Sequence, residues 1–147
     1  MFACVYRRAG TEITLMTMLQ LVGSAAETDF RLSKLRQRFR LRLDVIRDVS
    51  VSFVHFVHLS DRLSGSDSAL LQALLTYGTK ADPISRGQKL YVVPRLGTIS
   101  PWSSKATDIA RICGFPVHRL ERGRCYSFDM QGLLDPAELL DLSPLLH

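Results

Sequence analysis

The chain has little with which to staple or anchor itself. Its three cysteines, Cys4, Cys113 and Cys125, are odd in number and stand at no short paired spacing, which excludes a disulfide scaffold and a zinc site and suits a reducing cytoplasm. No apolar run approaches the roughly 20 residues that a membrane span needs. Gly97 is not followed at the required distance by Gly-Lys-Ser/Thr, so there is no Walker loop for a nucleotide. Charge of one sign is scarce too: 19 Lys and Arg against 14 Asp and Glu leave +5, enough to attract acidic partners but modest beside proteins built for nucleic acid.

What is present is core material, since 147 residues, 46% of them hydrophobic, can form one compact domain. Leu19 to Val22 reads as a strand. Thr28 can cap a helix through Phe30, Leu35 and Phe39, ending near Arg40. Its exposed side is basic, and between Lys34 and Arg42 four arginines alternate with other residues. This cluster is the strongest hint of nucleic-acid binding, but it lacks interleaved exposed aromatics for base stacking, and a solvated helix face is the simpler reading.

Val49 to Leu59 predicts a buried strand with Val51, Phe53, His55, Val57 and Leu59 on one face and Val54, Phe56 and His58 on the other. His55 and His58 therefore point apart and cannot share a metal ion. Asp67 predicts the start of a helix through Leu75 that Gly78 ends, and a loop over 79–87 leads to a strand from Lys89 to Val93. Val117 to Asp129 reads as strand, turn and strand around Gly123, and the Leu-rich tail after Pro136 as a last short helix. The order predicts an α+β domain, an antiparallel sheet with helices on one face.

The densest information lies in 94–114. Ser100 can cap a helix whose first residue is Pro101, with Ser103 or Ser104 as alternative starts. Ala106, Ile109, Ala110 and Cys113 then predict the apolar face, which makes Cys113 an inert buried thiol, and Gly114 with Pro116 is the stop. Thr98, Ser100, Ser103, Ser104 and Lys105 gather at a helix start whose N–H groups could hold an anion, although by local chemistry the simpler reading is that the hydroxyls cap the helix and shape the Gly97 loop.

The uninterrupted run Gly97-Thr98-Ile99-Ser100-Pro101-Trp102-Ser103-Ser104-Lys105-Ala106-Thr107-Asp108-Ile109-Ala110, followed by Arg119-Leu120-Glu121-Arg122-Gly123, resembles the N-terminal domain of large single-chain phosphoribosylformylglycinamidine synthases, also called formylglycinamide ribonucleotide amidotransferases. Val54-His55-Phe56 and Phe30-Arg31-Leu32-Ser33-Lys34-Leu35 extend the likeness, which runs from about Met18 to Asp129. Leu96 stands where the family usually has proline, and His58 where it usually has aspartate.

The resemblance implies two PurS-like units in one chain, a domain over 18–147, and an extension over 1–17 outside the fold. Arg7-Arg8 and the apolar stretch from Ile13 imitate a secretory signal, but Thr11-Glu12 and the polar Thr14, Thr17 and Gln20 interrupt it. It also implies an ATP-dependent amidation with glutamine as ammonia source. ATP and magnesium would be held by central domains and glutamine cleaved by a C-terminal Cys-His-Glu triad, all beyond residue 147.

This chain would then carry no cofactor, metal or catalytic residue. It would be a cytoplasmic scaffold docking onto the synthetase and glutaminase domains and sheltering ammonia. Thr98, Ser100, Trp102, Ser103, Ser104, Lys105 and Asp108 are the expected contact or anion-binding residues, with Trp102 as apolar anchor. The competing expectations are a small basic nucleic-acid-binding module using Lys34 to Arg42, and a truncated remnant without function.

Overall fold

The computed structural model describes residues 18–81, 84 and 87–146; the expectations for 1–17, Cys4 included, lie outside these. The elements are β1 (Met18–Ala25), α1 (Asp29–Arg42), β2 (Ile46–Leu59), α2 (Gly65–Leu75), β3 (Gln88–Val92), α3 (Pro101–Ile112), β4 (Val117–Met130), α4 (Pro136–Leu140) and a closing 3-10 turn (Ser143–Leu146). The four strands form one antiparallel sheet in the order β1-β2-β4-β3, an α+β fold as the sequence predicts. The two central strands are 14 residues each and pair from Ile46↔Met130 to Leu59↔Val117.

Period-two alternation fixes the faces. Val49, Val51, Val57 and Leu59 point toward the helices together with Leu120, Tyr126, Phe128 and Leu90. One cluster joins Phe39 of α1 to Phe128, edge to face at 5.2 Å, and to Leu139, Leu142 and Leu146 of the tail, which thus packs on this domain's own sheet. The other seats Leu71 and Leu75 of α2 and Ala110 of α3 on Val57, Leu120 and Val117. Each fully buried Leu, Val or Phe among these contributes about 1.5–3 kcal/mol. All the helices therefore lie on one face.

The boundaries differ from expectation where a local contact decides. Helix α1 runs on to Arg42, its last turn closed by the Leu43 N–H on the Phe39 carbonyl. Ser64, not Asp67, starts α2: its hydroxyl oxygen accepts the Asp67 N–H at 3.1 Å and its proton goes to the Asp67 carboxylate at 2.7 Å. The expected turn at Gly123 is absent, because β4 pairs with β2 straight through Val54↔Gly123. Glycine is needed there for room. A Cβ would stand 2.9 Å from the Val92 carbonyl oxygen and 3.0 Å from Val93 Cγ1, where the chain leaves β3.

Candidate functional site

Between β3 and α3 the chain turns tightly at Arg95–Thr98, with Gly97 at φ +78° and the Thr98 N–H on the Arg95 carbonyl at 3.1 Å. Ser100 then caps α3, accepting the Ser103 N–H at 3.0 Å, while Pro101 fills the first position. Of the expected site residues, Ser100 and Ser103 have their hydroxyls engaged inside the domain. Ser100 donates to Glu121 Oε1 at 2.8 Å, and the buried Ser103 donates to the Leu120 carbonyl. Thr98 donates to the Arg95 carbonyl, and its own carbonyl takes Arg119 at 2.9 Å. Ser104, Lys105 and Asp108 are exposed along the outside of the helix.

Of the expected apolar stripe Ala110 is buried and Ala106 packs against the core, but Ser103 and Thr107 complete the buried side of α3 in place of Ile109 and Cys113. Strand β3 stops at Val92↔Arg124, so β4 beyond that point lacks a strand neighbour on this side. Thr107 Oγ1 accepts the Leu120 N–H at 3.0 Å, Glu121 Oε1 accepts the Arg122 N–H at 3.0 Å, and Arg111 donates to the Val117 and His118 carbonyls at 3.0 and 2.6 Å. Satisfying the bare strand edge takes precedence over burying methyl groups. The helix is turned accordingly, leaving Cys113 exposed, contrary to its expected burial, with Ile109 and Ile112 outward at 53% and 85% exposure.

Burial pushes the Glu121 carboxyl up, but the Arg122 backbone N–H and the Arg119 and Ser100 side chains outweigh it and hold it below the usual carboxylate range. The runs around Gly97 and Arg119 are thus two sides of one contact.

Trp102 is half-buried rather than free. Its ring lies 5.4 Å from that of His55, and the Arg122 guanidinium stacks over it at 4.8 Å and over Phe53 at 4.4 Å while donating to the Tyr77 hydroxyl at 2.7 Å. His55 is fully buried with neither ring nitrogen hydrogen-bonded, and burial first, then the Arg122 charge, lower its pKa to about 4. Only parity hinted at this cluster: Arg122 pairs with His55 on the helix-bearing face.

His58 lies on the other face, its ring 4.8 Å from that of His118, so the two histidines of the pair do not converge. Among the described residues no group of three His, Cys, Asp or Glu could hold a metal ion, and no helix is long and apolar enough to cross a membrane.

The basic run of α1 is divided between two surroundings. Arg36 pairs with Asp48 and Arg40 donates to the Arg47 carbonyl, both on β2, whereas Lys34 and Arg38 line a cleft. The family model for the formylglycinamide ribonucleotide amidotransferase N-terminal region matches residues 52–147, more than half of the chain, taking in most of β2, both diagnostic runs and the C-terminal helices. The contact of the Gly97 run with the Arg119 run lies wholly within that span, and the chain belongs to the formylglycinamide ribonucleotide amidotransferase N-terminal family.

Proposed function

We propose that the domain is the docking scaffold of a phosphoribosylformylglycinamidine synthase, supporting ATP- and glutamine-dependent conversion of formylglycinamide ribonucleotide to formylglycinamidine ribonucleotide in purine biosynthesis. ATP and magnesium are bound, and glutamine is cleaved, in other domains of that enzyme. The scaffold contributes a surface and no reacting group.

The observation that carries this reading is the outer stripe of α3 and its approach. Ile99 and Ile109 stand 64% and 53% exposed beside the exposed Ser104, Lys105 and Asp108. A rigid helix showing isoleucines rimmed by polar side chains suits a protein neighbour, with the isoleucines inserting and Lys105 and Asp108 fixing orientation. Trp102 supports the helix from beneath in this reading, through its contacts with His55 and Arg122.

The two PurS-like units are part of the same proposal. What supports them is the repeated order of strand, helix, long strand and helix, and a sheet order symmetric about the β2–β4 pair.

The test is the variant Lys105→Glu with Ile109→Asp in the complete enzyme. Glutamine-dependent synthesis should fall several-fold while synthesis supported by added ammonium salt is retained, since only delivery of ammonia between domains is impaired. An unchanged glutamine-dependent rate would overturn the proposal.

A further inference from the structure

Helix α2 is apolar on more sides than its own sheet covers. Leu71 and Leu75 are buried against the sheet, whereas Leu70 and Leu74 stand 60% and 45% exposed, with Ala69 and Ala73 also exposed. A helix that is apolar nearly all round ordinarily has a second neighbour. Asp67 is its charged residue, and it carries no cation. Asp67, Leu70 and Leu74 recur at i, i+3 and i+7, so they share one face. On the opposite flank Gln72 holds the Val22 carbonyl of the edge strand β1 at 2.9 Å, which turns the Leu70 and Leu74 face toward the middle of the sheet and α3.

Across from it α3 presents Trp102 and Ala106, both packed on the cluster that holds Leu71 and Leu75, and then the exposed Ile109. At one end of this apolar trough, just past the C-cap of α2, Tyr77 is 39% exposed, and its hydroxyl takes a hydrogen bond from Arg122 at 2.7 Å. The Arg122 guanidinium lies against the rings of Phe53 and Trp102, and no carboxylate pairs with it among the described residues. The order along the face is therefore acid, two leucines, cation. From residue 67 to residue 77 a helix rises about 15 Å.

Such a face is complementary to itself. We propose that a second copy of this chain docks on it about a two-fold axis, with α2 antiparallel to its counterpart, Leu70 and Leu74 of each copy seated between α2 and α3 of the other, and Asp67 of each meeting Arg122 of the other. Antiparallel alignment centred at Gln72 sets residue 67 of one copy opposite residue 77 of the other, beside Arg122, and a two-fold axis forms both ion pairs at once. Burial of the leucines supplies the attraction, and the ion pairs fix the register. The proposal is independent of the docking reading, which uses Lys105 and Asp108 on the outer side of α3; Ile109 borders both surfaces.

Sedimentation equilibrium of the 147-residue chain over the micromolar range tests it, and should show a monomer and dimer in exchange. Leu70→Asp with Leu74→Asp, both exposed in the single chain, should leave only monomer, with the circular dichroism spectrum unchanged. Asp67→Arg and Arg122→Glu should each weaken the dimer by about tenfold or more, because each sets two pairs of like charges face to face. Mixed together, these two variants should form a heterodimer close to the native affinity, since the new arginine then meets the new glutamate while the unchanged Asp67 and Arg122 meet each other. A native chain that stays monomeric throughout overturns the proposal. A dimer that survives the two leucine substitutions also overturns it, in favour of another surface, and so does a mixture that associates no better than either variant alone. If circular dichroism shows Arg122→Glu unfolded, the leucine variant and Asp67→Arg decide.

Discussion

Thr107 and Leu120 are joined by a hydrogen bond of 3.0 Å from the Leu120 N–H to the threonine hydroxyl, and one turn earlier Ser103 donates to the carbonyl of the same leucine. Two hydroxyls four residues apart on a helix thus replace the strand that β4 lacks at this point. Thr107→Val keeps the shape and removes the acceptor, leaving a buried N–H without a partner. It should cost about 1–3 kcal/mol of stability in urea denaturation. Ser104→Ala, on the exposed side, should stay within about 0.5 kcal/mol.

His55 makes the domain sensitive to acid. Its folded pKa is about 4 against 6.5 for a free imidazole, so between these values the unfolded chain binds a proton that the folded one refuses. Stability is therefore complete above pH 6.5 and declines as the pH falls toward 4, by up to about 1.4 kcal/mol per pH unit. Chemical denaturation at stepped pH should show this slope in the native sequence and its loss in His55→Leu, where no proton is taken up. A parallel slope in both would assign the effect to other groups.

Glu121 acts at lower pH. Its depressed carboxyl contributes stability above the ordinary carboxylate range and loses it as the pH falls through the folded value, so Glu121→Gln should flatten the acid limb that remains in His55→Leu. Because Ser100 donates to this carboxylate as well as capping α3, Ser100→Ala should cost about 0.5–2 kcal/mol. Double-mutant cycles with Glu121→Gln would measure how much of that cost the two share.

Gly23 is tied to His55 by space. A Cβ at residue 23 would stand 2.6 Å from His55 Cε1, whose ring is flanked by those of Tyr77 and Trp102, so Gly23→Ala should destabilise by about 1–3 kcal/mol. Combining it with His55→Ala should recover part of that loss. Strict additivity of the two changes would show that the contact does not set the cost.

The readable parts of this fold were those decided by neighbours in sequence. Ser100-Pro101 announces the start of α3, and the alternation from Val49 to Leu59 sorts β2 correctly into two faces, with His55 inward and His58 opposite. The misread parts depend on distant contacts. Gly123 looks like a turn until Val92 and Val93 are seen against it. Ile109 and Cys113 look like a buried stripe until β3 is seen to stop short, which calls Ser103 and Thr107 inward instead. The division of the basic run on α1 depends on Asp48 and Arg47, beyond the helix itself.

The short β3 has a consequence for assembly. Exposed sheet edges invite further strands from other molecules, and proteins blunt them with short strands or by covering the edge. On this flank an incoming segment would meet five residues of β3, and farther along it would meet α3, whose serine and threonine already saturate the backbone of Leu120. Two chains of this protein are thereby discouraged from stitching their sheets together through this flank, which keeps the outer side of α3 free for a different kind of neighbour.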